Sequence, residues 1–233
     1  MTEVKVIPVP IKMGPMTVMA YLLVGDRIVV VDTGIAGQAQ RILEAVADQG
    51  RCAADVSLVL LTHGHGDHTG SAIALREATG APVALGAGDE EKCLSGVDTE
   101  MRARHPLNKT LLLAIRRRHA LSLSPVGPVP DIVIDGERSL REFGIDAVVV
   151  PTPGHSRGSL SVFTAAGDAL VGDLMGGRGR DPRTMRRGRF VCDEDAMSAS
   201  IRCVIARAPD RIYTGHDEKA FSLEQLISTF GSL

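Results

Sequence analysis

The chain has very few aromatic residues, with no Trp, two Tyr and five Phe among 233 residues. The core must therefore be built from Val, Leu, Ile and Ala, and a binding surface made mainly of stacked aromatic rings is excluded. An excess of charge is also lacking. Because the formal net charge is −2, nothing draws the chain as a whole to nucleic acid or to an anionic membrane.

Cysteine pairs, leader segments and long apolar runs are missing as well. The four cysteines are widely spaced and form no CxxC pair, which favours reduced thiols over a disulfide framework. The first residues show no basic segment followed by an apolar one, and no stretch approaches about eighteen consecutive apolar residues. These absences predict a soluble, cytoplasmic protein.

Strands and helices alternate along most of the chain. Helical periodicity extends over Gly37–Gln49 and again to Thr79, where Gly80 is placed to end the helix, and a last helix is expected at Ser222–Phe230. Alternation of this kind predicts an α/β (α+β) protein whose sheets are covered by helices. The predicted strands are Val4–Ile11, Thr17–Val24, Arg27–Val31, Pro82–Leu85, Asp131–Ile134, Ile145–Val150, Ser159–Thr164, Ala169–Val171 and Arg211–Tyr213.

A dense group of histidines follows one further strand-like run, in the sequence LVLLTHGHGDHTG at 58–70. His63 and His65 are two residues apart, so both side chains point the same way on an extended backbone. Asp67 and His68 lie where a helical pattern begins, and they are free to turn toward a second ion. Imidazole and carboxylate groups packed in this way predict a zinc or iron site.

Three more potential ligands each follow a predicted strand beside a glycine. His155 comes after Ile145–Val150, Asp173 after Ala169–Val171, and His216 after Arg211–Tyr213. One arrangement that occurs three times is hard to attribute to chance. The full set of candidate metal ligands is therefore His63, His65, Asp67, His68, His155, Asp173 and His216.

With HxHxDH at 63–68, TPGH at 152–155, GD at 172–173 and GH at 215–216, the chain resembles the metallo-β-lactamase superfamily over nearly its full length. The resemblance implies one domain over 1–233, folded as a four-layer αββα sandwich of two mixed sheets with the metals at one edge. It also implies that His63, His65 and His155 bind one metal, that Asp67, His68 and His216 bind a second, and that Asp173 bridges the two. Asp32, at a strand end, matches a supporting aspartate of the family.

The chemistry expected of such a centre is hydrolysis. Two divalent ions, Zn²⁺ first and Mn²⁺ or Fe²⁺ as alternatives, would lower the pKa of a bound water toward roughly 7 and provide hydroxide. We expect that hydroxide to attack a thioester, ester or lactone of a small molecule, with Asp67 and Asp173 as the catalytic residues. The motifs around His155 and Asp173 are similar to those of glyoxalase II. Only seventeen residues follow His216, however, so glutathione specificity is not expected.

Other reactions stay open at this point. Persulfide dioxygenases resemble the same family but use a single non-haem iron. Six arginines between Arg178 and Arg189 suggest a phosphodiesterase or nuclease, although a solvated loop explains them equally well and nucleic acid is an unlikely partner. A binding protein without catalysis is disfavoured because every ligand position of the family is filled.

The segment at about 88–124 differs from the rest of the chain in its sequence pattern, and this pattern predicts an inserted helical lid. No strand pattern is seen there, and Pro106–His119 shows helical spacing with Leu112 on its apolar side. Leu112, Arg178 and Arg180 are the predicted substrate-binding residues. The apolar side of the lid is alternatively the interface of a homodimer.

Overall fold

The computed structural model of the protein describes residues 2–96, 98–110, 112–114, 127–178 and 181–233. Its helices are α1 (Ala39–Ala47), α2 (Gly66–Thr69), α3 (Ala72–Thr79), α4 (Glu90–Ser95), α5 (Glu194–Ala206) and α6 (Leu223–Phe230), with 3-10 turns at Ala53–Asp55, Pro106–Asn108 and Arg141–Phe143. Its strands are β1 (Lys5–Met13), β2 (Met16–Val24), β3 (Ile28–Val31), β4 (Val56–Leu60), β5 (Val83–Gly86), β6 (Arg102–Ala103), β7 (Ile132–Ile134), β8 (Arg138–Ser139), β9 (Ala147–Pro151), β10 (Leu160–Thr164), β11 (Asp168–Leu170), β12 (Met175–Arg178), β13 (Asp181–Arg187), β14 (Phe190–Val191), β15 (Arg211–Tyr213) and β16 (Phe221–Ser222).

Two six-stranded mixed sheets form the centre of the molecule, in the orders β1-β2-β3-β4-β5-β7 and β16-β15-β11-β10-β9-β8. Strand β4 shows how the sequence builds them. Leu58 and Leu60 face a core between the sheets, while Val59 and Leu61 face a second core under α1 and α3. Successive side chains of a strand point to opposite faces, so a strand buried on both faces is apolar throughout.

Helices cover the outer face of each sheet. Ile42 of α1 and Leu75 of α3 pack on the first sheet, and Ile201 of α5 and Leu226 of α6 pack on the second. The order of layers is helix, sheet, sheet, helix. The predicted four-layer αββα sandwich is confirmed.

Strand direction brings the predicted ligands to one edge of the sandwich. In the first sheet β3 and β4 run parallel. In the second, β11 is parallel to β15, and β10 is antiparallel to both β9 and β11, so β9, β11 and β15 all point the same way. The carboxyl ends of these strands, where the candidate ligands follow, therefore meet at one edge.

Several elements differ from the sequence prediction. Helix α5 was not predicted, because its apolar positions alternate with small and charged residues. The arginine-rich segment forms the hairpin β12–β13 and not a loop. Within the insert, expected to contain no strand, β6 pairs with β14. Of the expected helix Pro106–His119, residues 109–110 and 112–114 are helical, while Leu111 and residues 115–119 lie outside the described residues.

Within the described part of the chain, no helix combines the length and the apolar character needed to span a membrane. The four cysteines are all unpaired. Cys93 is buried, and Cys52 is exposed.

Leu60→Ala tests the core between the sheets. Leu60 is fully buried, so the truncation leaves a cavity, and we expect the free energy of unfolding to fall by about 2–5 kcal/mol. Val133→Ala is the control, because Val133 lies on β7 and is 46% exposed, and its effect should be about 0.5 kcal/mol or less. Denaturant-induced unfolding measures both. Equal losses for the two variants would contradict the assigned packing.

Candidate metal centre

All seven predicted ligands converge at the edge where the strands end. His63 follows β4, His155 follows β9, and Asp173 follows β11. The ligand atoms form three overlapping groups, each with its atoms within 4.8 Å of one another. The groups are His63, His65 and His155 (the first cluster), Asp67, His68 and His216 (the second cluster), and His63, His68 and Asp173, which connects them.

The distances within the clusters suit a metal ion. His155 Nε2 lies 3.0 Å from His65 Nδ1. Two ligands of a tetrahedral zinc ion are roughly 3.3 Å apart, given zinc–nitrogen bonds of about 2.0–2.1 Å. Asp173 lies between the clusters, because its Oδ2 is 3.2 Å from His216 Nε2 and 3.8 Å from His155 Nε2.

In each of the five histidines of the two clusters, the other ring nitrogen faces a hydrogen-bond acceptor outside the clusters. His68 Nδ1 donates to Asp32 Oδ2 at 2.8 Å, and His65 Nε2 donates to Asp98 Oδ2 at 3.0 Å. His155 Nδ1 and His216 Nδ1 donate to the backbone carbonyls of Phe190 at 3.0 Å and Thr17 at 2.9 Å. These four acceptors hold one ring N–H outward in each histidine, so that the inner nitrogen is the one that can offer a lone pair when the ring is neutral.

The fifth histidine is fixed by a hydroxyl group. Thr62 Oγ1 donates its single proton to Asp32 Oδ2 at 2.8 Å. It can then only accept from His63 Nδ1, 3.0 Å away. Asp32 has a φ of 59°, a left-handed conformation that aspartate tolerates better than most residues, and its carboxylate thereby orients both His68 and Thr62.

Buried polar atoms without a hydrogen-bond partner point into the centre. They include His63 Nε2, His68 Nε2 and Asp173 Oδ1. A buried polar group without a partner costs free energy, and native proteins seldom tolerate one. Three such atoms, all in the group that connects the clusters, fit a centre that holds cations.

Charge and burial separate the two clusters. Burial, reinforced by the charge of neighbouring histidines, holds the pKa of His63 well below 6.5, and burial lowers the pKa of His155 to about 4. Burial opposes protonation in the second cluster too, but adjacent carboxylates outweigh it and raise the pKa of His68 to about 9 and of His216 to about 10. A metal ion at those nitrogens would displace protons, so binding there releases them.

The centre is deep on one side and open on the other. The side chains of His63, His68 and His155 are at most 2% exposed. Asp67 is 31% exposed and His216 is 35% exposed, so the second cluster faces solvent. The open side of the centre therefore lies at Asp67 and His216.

The loop that carries His155 is held by close backbone packing. Gly154 has a φ of +135°, and a Cβ there would collide with the backbone of Met197 at the start of α5. Only glycine accepts both conditions. The unpredicted helix α5 is therefore part of what positions His155.

The predicted substrate-binding residues are less well defined. Leu112 is buried, at 7% exposed. Arg178 ends strand β12, and Arg180 lies outside the described residues. Arg187 and Arg104, on β13 and just after β6, both pair with Glu194.

Sequence reasoning missed three buried residues behind the first cluster, Asp89, Lys92 and Asp98. They lie in the segment interpreted as a lid, and Asp98 is 33 residues from the histidine that it contacts. The sequence does show Asp89, Lys92 and Asp98 close together among apolar residues, which hints at buried charges. No short motif, however, connects them to His65.

The chain is similar to several known proteins. A probable metallo-hydrolase of Methanocaldococcus jannaschii is 22% identical over 89% of this chain and 93% of its own length. A hydroxyacylglutathione hydrolase of Albidiferax ferrireducens is 31% identical, but the match covers 55% of this chain and 35% of that enzyme. The crystal structure of TTHA1623 in a di-iron-bound form is 28% identical, with a TM-score of 0.64, and the match covers 96% of this chain and 99% of that one.

The model of the metallo-beta-lactamase superfamily matches residues 13–216, from the end of β1 to the last histidine of the second cluster. The BLEG-1 B3 metallo-beta-lactamase shares the fold, with a TM-score of 0.67 at 23% identity over 95% of this chain and 97% of that one. The match therefore contains the strands from β2 to β15 and all seven candidate ligands, while most of β1, β16 and α6 lie outside it. The chain belongs to the metallo-beta-lactamase superfamily.

Proposed function

We propose that this protein is a hydrolase that holds two divalent metal ions and cleaves a thioester, ester or lactone of a small molecule. One observation carries the proposal. Five histidines direct an N–H away from the centre, so their five remaining nitrogens face inward, in two clusters with Asp173 between them. Neutral nitrogens and carboxylates in this arrangement are the donor set of a dinuclear site.

Each ligand has a defined part in this proposal. His63, His65 and His155 would hold the first ion. Asp67, His68 and His216 would hold the second, and Asp173, which lies between the clusters, would serve both. When bound, such ions lower the pKa of water toward about 7, so that a nucleophile forms at neutral pH, and they stabilise negative charge on the substrate.

The two sides of the centre differ in solvent exposure, and this difference indicates where a substrate would react. His63 and His155 are nearly sealed from solvent, which keeps the deep side free of bulk water and strengthens electrostatic interactions there. Asp67 and His216 form the open side, where the substrate's carbonyl group is expected. Asp67 Oδ2 lies 3.7 Å from His216 Nε2, so the carboxylate would supply negative charge to balance an ion held in the second cluster.

An acyl substrate is supported by the partial match to the hydroxyacylglutathione hydrolase. Iron as an alternative to zinc or manganese is supported by the solved relative in a di-iron-bound form. An iron-dependent oxidation of a persulfide, which the family resemblance leaves open, is the second candidate. It differs in a measurable way, because it consumes oxygen and needs only one metal position.

A substrate panel tests the reaction class. Protein reconstituted separately with Zn²⁺, Mn²⁺ and Fe²⁺ is assayed with thioesters, aryl esters, lactones and a phosphodiester, and oxygen uptake is followed with a persulfide. We expect metal-dependent acyl cleavage without oxygen uptake. Oxygen consumption with the persulfide, and no acyl cleavage with any metal, would replace the hydrolase by the oxidative enzyme.

Ligand variants test the assignment of the centre. His63→Ala removes a donor of the first cluster, and Asp173→Ala removes the carboxylate between the clusters. We expect each to lower turnover by about a hundredfold or more, since even outer-shell changes at metal sites cost about 10–100-fold. His105→Ala, an exposed histidine outside the clusters, should keep normal turnover and metal content.

Full activity with normal metal content in Asp173→Ala would show that the two clusters do not share this carboxylate. Circular dichroism of each variant separates loss of ligands from loss of fold.

A further inference from the structure

A buried row of three charged side chains lies directly behind the first cluster. Lys92 Nζ is 3.0 Å from Asp89 Oδ1 and 2.9 Å from Asp98 Oδ2. The side chains are 0%, 7% and 2% exposed for Asp89, Lys92 and Asp98. Charges are removed from water at a cost of several kcal/mol each, so a fully paired row of this kind needs a structural or functional reason.

Asp98 ends the row at the first cluster, and both of its oxygens are occupied. Oδ2 accepts from His65 Nε2 at 3.0 Å and from Lys92. Oδ1 accepts from the backbone amides of Glu100 at 2.9 Å and Met101 at 2.8 Å. The carboxylate therefore meets four donors and no acceptor.

Asp89 ends the row on the other side, at the backbone of two ligand loops. Its Oδ2 accepts from the amide of Gly64 at 2.8 Å and from Ser156 Oγ at 2.6 Å, and its Oδ1 accepts from the amide of Gly158 at 3.0 Å. Gly64 separates His63 from His65, and Ser156 follows His155. One carboxylate thus connects the loops that carry all three histidines of the first cluster.

We propose that Asp98, held in place by Lys92, is a positioning residue that sets the tautomer of His65, while Asp89 fixes the position of the two ligand loops relative to each other. This rests on the proposed function, because it takes His65 as a ligand of the first ion. With Nε2–H donated to Asp98, the lone pair of His65 is on Nδ1, which faces His155 Nε2 at 3.0 Å. The opposite tautomer would place a proton where the ion binds.

An amide at position 98 cannot replace the carboxylate. If the oxygen of an asparagine faces His65 and Lys92, its NH₂ group faces the amide donors of Glu100 and Met101. If the asparagine is turned over, the NH₂ group faces His65 and Lys92. In that second orientation His65 Nε2 must accept, and the ring proton moves to Nδ1.

The direct test is the tautomer of His65, read from ¹⁵N chemical shifts of its imidazole nitrogens in the metal-free protein at mildly alkaline pH. In the wild type we expect His65 to carry its proton on Nε2. Asp98→Asn should move a large part of that population to Nδ1. Asp32→Asn is the matched comparison, because Asp32 contacts His68 and Thr62 but not His65, so the proton of His65 should stay on Nε2 in that variant.

Zn²⁺ affinity, measured by competition with a chelator, gives the second readout. In Asp98→Asn we expect the first cluster to bind about 10–100-fold more weakly and the second to change little. Glu100→Gln is the control in the same loop, since its carboxylate is 40% exposed and pairs with Arg157, and both affinities should stay normal.

The outcomes separate this proposal from the proposed function. A wild-type His65 protonated on Nδ1 overturns the positioning role and needs no variant, so a poorly folded Asp98→Asn protein does not remove the test. Unchanged tautomer and affinity in a folded Asp98→Asn protein overturn it equally. A wild type with the expected tautomer but no Zn²⁺ binding would instead contradict the proposed function and leave the tautomer control by Asp98 standing.

Discussion

Five hydrogen bonds that point away from the metal centre determine what the centre can do. Each fixes which nitrogen of an imidazole carries the proton, and therefore which one offers a lone pair. The acceptors are Thr62 Oγ1, Asp98, Asp32 and the backbone carbonyls of Phe190 and Thr17. If a donor replaced one of these acceptors, the ring proton would move to the inner nitrogen, which could then no longer bind a cation.

These acceptors come from separate parts of the fold, which explains why so large a scaffold surrounds so small a site. Thr17 belongs to β2 and Asp32 follows β3, so both come from the first sheet. Phe190 belongs to β14, which pairs with β6 of the insert. The apolar core between the sheets keeps these groups at fixed distances, and the buried row of Asp89, Lys92 and Asp98 adds a polar link between two ligand loops. The packed core thus fixes the hydrogen-bond acceptors, and the acceptors in turn orient the histidines of the two clusters.

The sequence predicts the ligands better than it predicts their supports. His155, Asp173 and His216 could be found because each follows an apolar strand beside a glycine, and strand direction then brings them together. Helix α5 was missed because its apolar spacing is interrupted by small and charged residues. Asp98 was missed for a different reason: its contact with His65 spans 33 residues and is created by tertiary packing. Local patterns report which groups can bind a metal, whereas the groups that orient them appear only once the chain is folded.

The central claim is that the two clusters hold one ion each and share Asp173. The most direct measurement is the metal content per chain, determined by elemental analysis of protein purified without added metal and again after reconstitution with Zn²⁺, Mn²⁺ or Fe²⁺. The account predicts two ions per chain after reconstitution. A content that stays at one ion per chain with every metal, at concentrations well above those that fill the first position, would contradict it.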